Sequence, residues 1–155
     1  MIARCKHPLT TDIVLSVQPR HSQNIIAGLK SAELRTRLLP IRYDERPVRA
    51  FMYETKPTGK IVAEFAVFTA DPVHRDMFDP SEILSALNIT AAEFRSYLSK
   101  SSIGWSHPIE DLIVYDQPYD LEDFGLQRAP QSWQYVYTIP EELFTGSGAN
   151  PWAVV

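Results

Sequence analysis

Residues 60–69, KIVAEFAVFT, constrain this chain more than any other segment. Alternate positions set Ile61, Ala63, Phe65 and Val67 on one face and Val62, Glu64, Ala66 and Phe68 on the other. A period-two segment with apolar side chains on both faces predicts a central strand, because either face left in water would expose a hydrophobic row. Such a strand needs paired neighbours and a layer packed on each side. With 155 residues, 45% hydrophobic and 11% aromatic, the chain has the material for one such domain and is too short for two.

The remaining pattern fits an α+β fold. Residues 13–17 (IVLSV) read as a buried strand. Pro19 then opens a helix over 20–28, with Ile25, Ile26 and Leu29 on one side and Gly28 as its C-terminal cap. In SAELRTRLLP, Ala32, Leu34 and Thr36 alternate with Glu33, Arg35 and Arg37, so one strand face is wholly charged. Residues 49–53 form another strand. Asp79-Pro-Ser-Glu opens a helix to about 87, and the capping box Thr90-Ala-Ala-Glu93 opens one to about 100. Short strands follow around 104–109, 111–116 and 134–139. Strands with short helices at their edges, in no regular alternation, argue against a doubly wound sheet.

Charge is unevenly spread. Residues 1–60 carry 11 Lys/Arg against 5 Asp/Glu, a net of +6, whereas 101–155 carry Arg128 against 8 acids, a net of −7. The total of −4 argues against a protein that coats nucleic acid, while the basic part offers a face for phosphate. The start MIARCKHPLTTD lacks the apolar core of a signal peptide, and no run reaches the roughly 18–20 residues a membrane helix needs. Cys5 is the one cysteine, so no internal disulfide forms, and a cytoplasmic setting is expected. The four histidines (His7, His21, His74, His107) lack ligand spacing, and no P-loop, GxGxxG or hydrolase elbow is present. No metal or cofactor is expected, and His21 reads as helix surface.

The segment Leu15-Ser-Val-Gln-Pro-Arg, followed by Ile25-Ile-Ala-Gly-Leu-Lys-Ser-Ala-Glu-Leu-Arg, resembles the ASCH superfamily. Gly28, Lys30, Glu33 and Arg35 fall at the spacing of its signature. Tyr53 and Pro57 before Gly59-Lys60-Ile-Val-Ala-Glu-Phe, the loop Tyr119-Asp-Leu-Glu-Asp-Phe-Gly and Pro130-Gln-Ser-Trp-Gln-Tyr fit the same family, in the same order. The resemblance runs over about 13–139. It implies a PUA-like mixed β-barrel with short flanking helices over 13–144, after an extension at 1–12 and before a flexible tail at 145–155. It also implies a cleft beside the first helix and an association with RNA. Some members resemble hydrolases that remove acetyl from acetylated cytidine or cut single-stranded RNA.

In the amidohydrolase branch the resemblance assigns chemistry to a lysine, here Lys30, and to a downstream helical glutamate, here Glu93. The position of that branch's threonine is Glu33, a departure, since an ionised carboxylate neither is acylated nor donates a hydrogen bond. Catalytic candidates are therefore Lys30, Glu33 and Glu93. Ligand-binding candidates are Arg35, whose fork suits an anionic oxygen, with Arg37, Tyr53, Lys60, Ser132 and Trp133. The capping box alone accounts for Glu93, and a core-edge position accounts for Tyr53. The expected partner is single-stranded RNA or a modified nucleoside, with no membrane and the chain a monomer or homodimer. A hydrolase of RNA or nucleoside is one reading, and a non-catalytic module regulating transcripts or translation is the other.

Overall fold

Segment 60–69 forms β5 (Lys60–Val67), and it lies inside a five-stranded sheet, as its two apolar faces require. The computed structural model describes residues 2–4, 10–42, 44 and 46–144. In chain order the elements are β1 (Ile2–Arg4), β2 (Thr11–Val17), α1 (Pro19–Ile26), β3 (Ala32–Arg35), β4 (Val48–Glu54), β5, β6 (Asp71–His74), α2 (Ser81–Leu87) and α3 (Ala91–Tyr97). There follow β7 (Ile103–Pro108), β8 (Glu110–Tyr119), a 3-10 turn (Leu121–Phe124), β9 (Trp133–Tyr135), β10 (Thr138–Pro140) and α4 (Glu141–Phe144).

The main sheet has the order β8-β5-β4-β2-β9, with β2 and β4 parallel and the other pairs antiparallel. One face packs Ile13, Leu15, Ala50, Met52, Ala63 and Phe65 beneath Ile25 of α1 and Leu39. The other packs Val14, Phe51 and Tyr53 against Phe124, Val136 and Ile139. Strict alternation put Ile61 on the side of Ala63, yet Ile61 joins the second face. Pairing shifts between Met52 and Tyr53, and again between Ile61 and Ala63. One extra residue at such a shift moves a side chain to the opposite face.

Glu64 is the charge buried within β5. Its carboxylate lies 3.0 Å from Arg49 Nε and accepts a hydrogen bond from Tyr115 at 3.0 Å. Arg49 also stands 4.7 Å over the Phe51 ring and donates to the Leu143 carbonyl, tying α4 to the sheet. Burial raises the Glu64 carboxyl above its usual range, against the pull of Arg49.

A second layer is the sheet β3-β7-β6, whose Ala32, Leu34 and Val73 pack on Leu87, Phe94 and Leu98 of the α2–α3 region. The α+β class holds, with mixed sheets and four short helices among the described residues. The barrel does not close. Among the described residues β8 and β9 each pair with one strand, and β3 pairs with β7 outside the main sheet; closure requires every strand to be paired on both sides.

Two local expectations also change. Segment 134–139 divides into β9 and β10, because the chain bends at 136–137 and β10 pairs with β1 from the N-terminal extension. β6, an edge strand containing Pro72, gives no period-two signal. Residues 145–155, expected to be a tail, lie outside the described residues. No described helix is long and apolar enough to cross a membrane.

Candidate functional site

The site begins with the exit from α1. Pro19 fills the first turn, where a missing N–H is harmless. At the other end Gly28 takes φ +77°, while the Leu29 and Lys30 amides both donate to the Asn24 carbonyl at 2.9 and 3.1 Å. A left-handed residue after the helix costs glycine little and reverses the chain. That reversal leaves Ile26 and Leu29 exposed, against the apolar face expected for them, and keeps Ile25 buried. It also carries Lys30 inward.

Lys30 has only 2% of its side chain exposed. Its Nζ donates to the Leu87 carbonyl at 2.8 Å, at the end of α2, where a helix's free carbonyls favour a cation. Glu33 Oε1 stands 3.8 Å away. Burial pushes the Lys30 amine below the usual lysine value; Glu33 opposes that, and Arg35 and Arg20 add to it.

The charged face of β3 turns inward. Glu33 is buried, and its Oε2 accepts from Arg35 Nε at 3.0 Å and Nη2 at 2.6 Å. Arg35 Nη2 donates to the Ser16 carbonyl at 2.7 Å and Nη1 to Ser132 Oγ at 3.2 Å. One guanidinium thus links β3 to β2 and to the residue before β9. Beneath it, His107 is wholly buried: Nδ1 meets the Glu33 carbonyl at 3.1 Å, and Nε2 accepts from the Leu39 amide at 3.1 Å.

Lys30, Glu33, Arg35 and Ser16 line a cleft of about 440 Å³ between α1 and α3. Glu93, at the start of α3, also lines it, and it does two things at once. It closes the capping box with Thr90, at 3.1 Å in each direction, and takes both Arg20 guanidinium nitrogens at 2.5 and 3.0 Å. Its hydrogen bonds from Arg20 and then from the Thr90 amide hold the carboxyl down to about 2. At neutral pH Glu93 is an acceptor and holds no proton to give.

His21 lines the cleft too, which corrects its reading as helix surface. Its Nδ1 is buried without a hydrogen-bond partner among the described residues. Burial, then Lys30, lowers its pKa, so the ring is neutral at pH 7. Nothing in the sequence distinguished His21, because only the packing of α1 over Lys30 encloses it. Tyr97 forms part of the same wall from α3. Among the described residues no group of three or more His, Cys, Asp or Glu side chains is placed to hold a metal.

Solved structures match this fold. The crystal structure of ASCH from Zymomonas mobilis superposes with a TM-score of 0.67 at 19% identity, over 81% of this chain and 87% of that one. Its tyrosine-to-phenylalanine variant gives 0.67 at 18%, and its serine-to-alanine variant 0.68 at 17%, each over 81% of this chain and 89% and 87% of theirs. The fold is ASCH-like. No family model and no curated protein matches the sequence.

The ASCH-like fold gathers some of the expected residues and disperses others. Lys30, Glu33, Arg35 and Glu93 share the cleft, and Ser132 reaches it through Arg35. Trp133 packs partly on the main core beside the cleft rim. Tyr53 is buried in the opposite core cluster, and Lys60 is paired with Asp120 at the surface. Arg37 is exposed beyond the end of β3. Within the basic N-terminal part, Arg20, Arg35, Arg42, Arg49 and Lys60 each meet a carboxylate.

Proposed function

We propose that this ASCH-like domain recognises a nucleoside unit, free and modified or within single-stranded RNA, in the cleft beside α1, and hydrolyses it. One observation carries the reading: a lysine amine, buried and pushed toward its neutral form, faces a cleft of about 440 Å³. That volume is of the scale of pockets that take small ligands. The likeness of the sequence to a family associated with RNA supplies the ligand class.

The neutral Lys30 amine takes a proton from the attacking oxygen as that oxygen bonds to the electrophile. On an acetylated cytidine, water attacks the carbonyl carbon, the Lys30 ammonium returns the proton to the departing nitrogen as the C–N bond breaks, and acetate and the exocyclic amine separate. On RNA, the oxygen attacks phosphorus, and the same proton passes to the departing oxygen as the P–O bond breaks. In either case Arg35 Nη1, whose bond to Ser132 is the longest that Arg35 makes, turns to the developing anionic oxygen. His21 Nδ1 offers the ligand a buried partner. Glu93, ionised, orients the ligand and does not supply the proton.

A second reading, a binding module without turnover, draws support from Glu33 and Glu93. Both carboxylates are already engaged by arginines, which leaves Lys30 to act as a fixed cation. Single-stranded RNA and acetylated cytidine, each with Mn²⁺ and with EDTA, test the two. A hydrolase loses turnover about 100-fold or more in Lys30→Arg while keeping much of its binding, because arginine keeps the charge and does not release its proton. A binding module shows no turnover, binds nearly as well in Lys30→Arg and fails in Lys30→Ala. Wild-type turnover in Lys30→Ala removes Lys30 from the chemistry.

A further inference from the structure

Segment 131–140, QSWQYVYTIP, holds no charged residue in a chain that is 22% charged. Trp133 and Tyr135 share one face of β9, and Tyr137 follows two positions on, past the bend at 136–137. Their rings are in contact. Trp133 and Tyr135 meet edge to face, with centroids 4.9 Å apart at 88°, and Tyr135 and Tyr137 are stacked at 6.5 Å and 27°. Tyr135 is 42% exposed and Tyr137 71%, although side chains of this size are usually covered.

The place of this ladder in the fold gives it a direction. Ser132, just before it, accepts a hydrogen bond from Arg35 of the cleft. Trp133 pairs with Leu15 and Tyr135 with Ile13 of β2, so the rings lead from the cleft end of β2 back toward its start. β9 is the outer strand of its sheet but only three residues long, and the chain bends after it. So short an edge has few main-chain groups to pair with an added strand. What it presents is a row of uncharged aromatic faces.

We propose that the Trp133–Tyr135–Tyr137 ladder is a stacking track for single-stranded RNA, holding the bases adjacent to the nucleotide seated in the cleft. The proposal rests on the reading that the cleft takes a nucleoside unit, and it makes the substrate an RNA strand, not a free nucleoside. Aromatic rings stack any base without reading its sequence. The track has no cation, so its share of the affinity is insensitive to salt, unlike contacts to phosphate.

The test compares binding of cytidine and of a cytidine tetranucleotide to the whole chain, wild type and Tyr135→Ser/Tyr137→Ser. Both tyrosines are exposed, so the double variant folds, which circular dichroism verifies. Wild type binds the tetranucleotide at least about tenfold more tightly than cytidine, and that ratio holds between about 50 mM and 300 mM salt. The double variant binds cytidine as wild type does and loses the ratio. An equal ratio in the double variant, or one that vanishes with salt, overturns the track. Loss of self-association in the double variant with the ratio unchanged assigns the ladder to a second copy, and capture of a proline-rich peptide instead of RNA assigns it to a protein partner; either overturns the proposal. Tetranucleotide binding that survives Lys30→Ala but needs both tyrosines sinks the cleft reading and leaves the track standing. Absence of binding by both probes sinks both.

Discussion

Arg20 on α1 and Glu93 on α3 meet across the mouth of the cleft, with both guanidinium nitrogens on one carboxylate at 2.5 and 3.0 Å. The contact joins the helix packed on the main sheet to the helix packed on the second layer. It also fixes the protonation of Glu93, held down to about 2 from an ordinary 4.5. A carboxyl depressed on folding contributes stability that is present above its unfolded pKa and is lost as pH falls through the folded one. Glu93→Gln keeps a capping side chain at the third helical position and removes the charge. The stability difference between wild type and Glu93→Gln is therefore constant above about pH 5 and disappears toward about pH 2. Parallel acid-unfolding curves with no such convergence contradict the contact.

Lys30 and Lys60 make an internal comparison. Burial pushes the Lys30 amine down, whereas the hydrogen bond from Lys60 to Asp120 pushes the Lys60 amine up. Followed by NMR of the side-chain nitrogens, Lys30 titrates first as pH rises, and Lys60 after it. The reverse order contradicts the desolvated position of Lys30 and withdraws its role as a base.

Arg35 ties β3 to β2 and to Ser132, the residue before β9, through four hydrogen bonds. Arg35→Lys preserves the charge but loses the fork, so it cannot reach Glu33, Ser16 and Ser132 together. Its urea stability falls by about 1–2 kcal/mol, and its affinity for a nucleotide ligand falls by a similar amount. Unchanged affinity with reduced stability restricts Arg35 to a structural tie.

His107 senses acid. Its pKa is lowered by burial, with Nε2 occupied as an acceptor for the Leu39 amide, so protonation removes that bond. For a base whose pKa falls on folding, the unfolded chain takes up the proton more readily. Stability is thus full above the unfolded value of 6.5 and declines as pH falls below it. Urea midpoints at about pH 7.5 and about pH 5.5 show the decline. His107→Gln shows less of it; the part that remains includes His21, which is lowered in the same sense.

Local rules made much of this chain legible. The two apolar faces of 60–69 predicted an interior strand, Pro19 and Gly28 bracketed α1, and Thr90 with Glu93 formed the capping box their spacing promised. The ASCH-like fold was readable from five ordered segments; of the residues expected in its cleft, Lys30, Glu33 and Arg35 line one, and Tyr53 does not. These features depend on neighbours within a few residues, or on a pattern of segments that keeps its order.

What tertiary structure decided involves residues far apart in the chain. Bulges moved Ile61 to the other face, the sheets stopped short of a barrel, and β3 found its partner in β7. Arg20 reached Glu93 across 73 positions, Arg35 reached Ser132 across 97, and His21 was enclosed over Lys30. Tyr53 and Lys60 went elsewhere for the same reason. Periodicity states which face of its own element a side chain occupies. Which other element covers that face, and so whether a lysine stays solvated or gives up its proton, depends on long-range packing that no local pattern encodes.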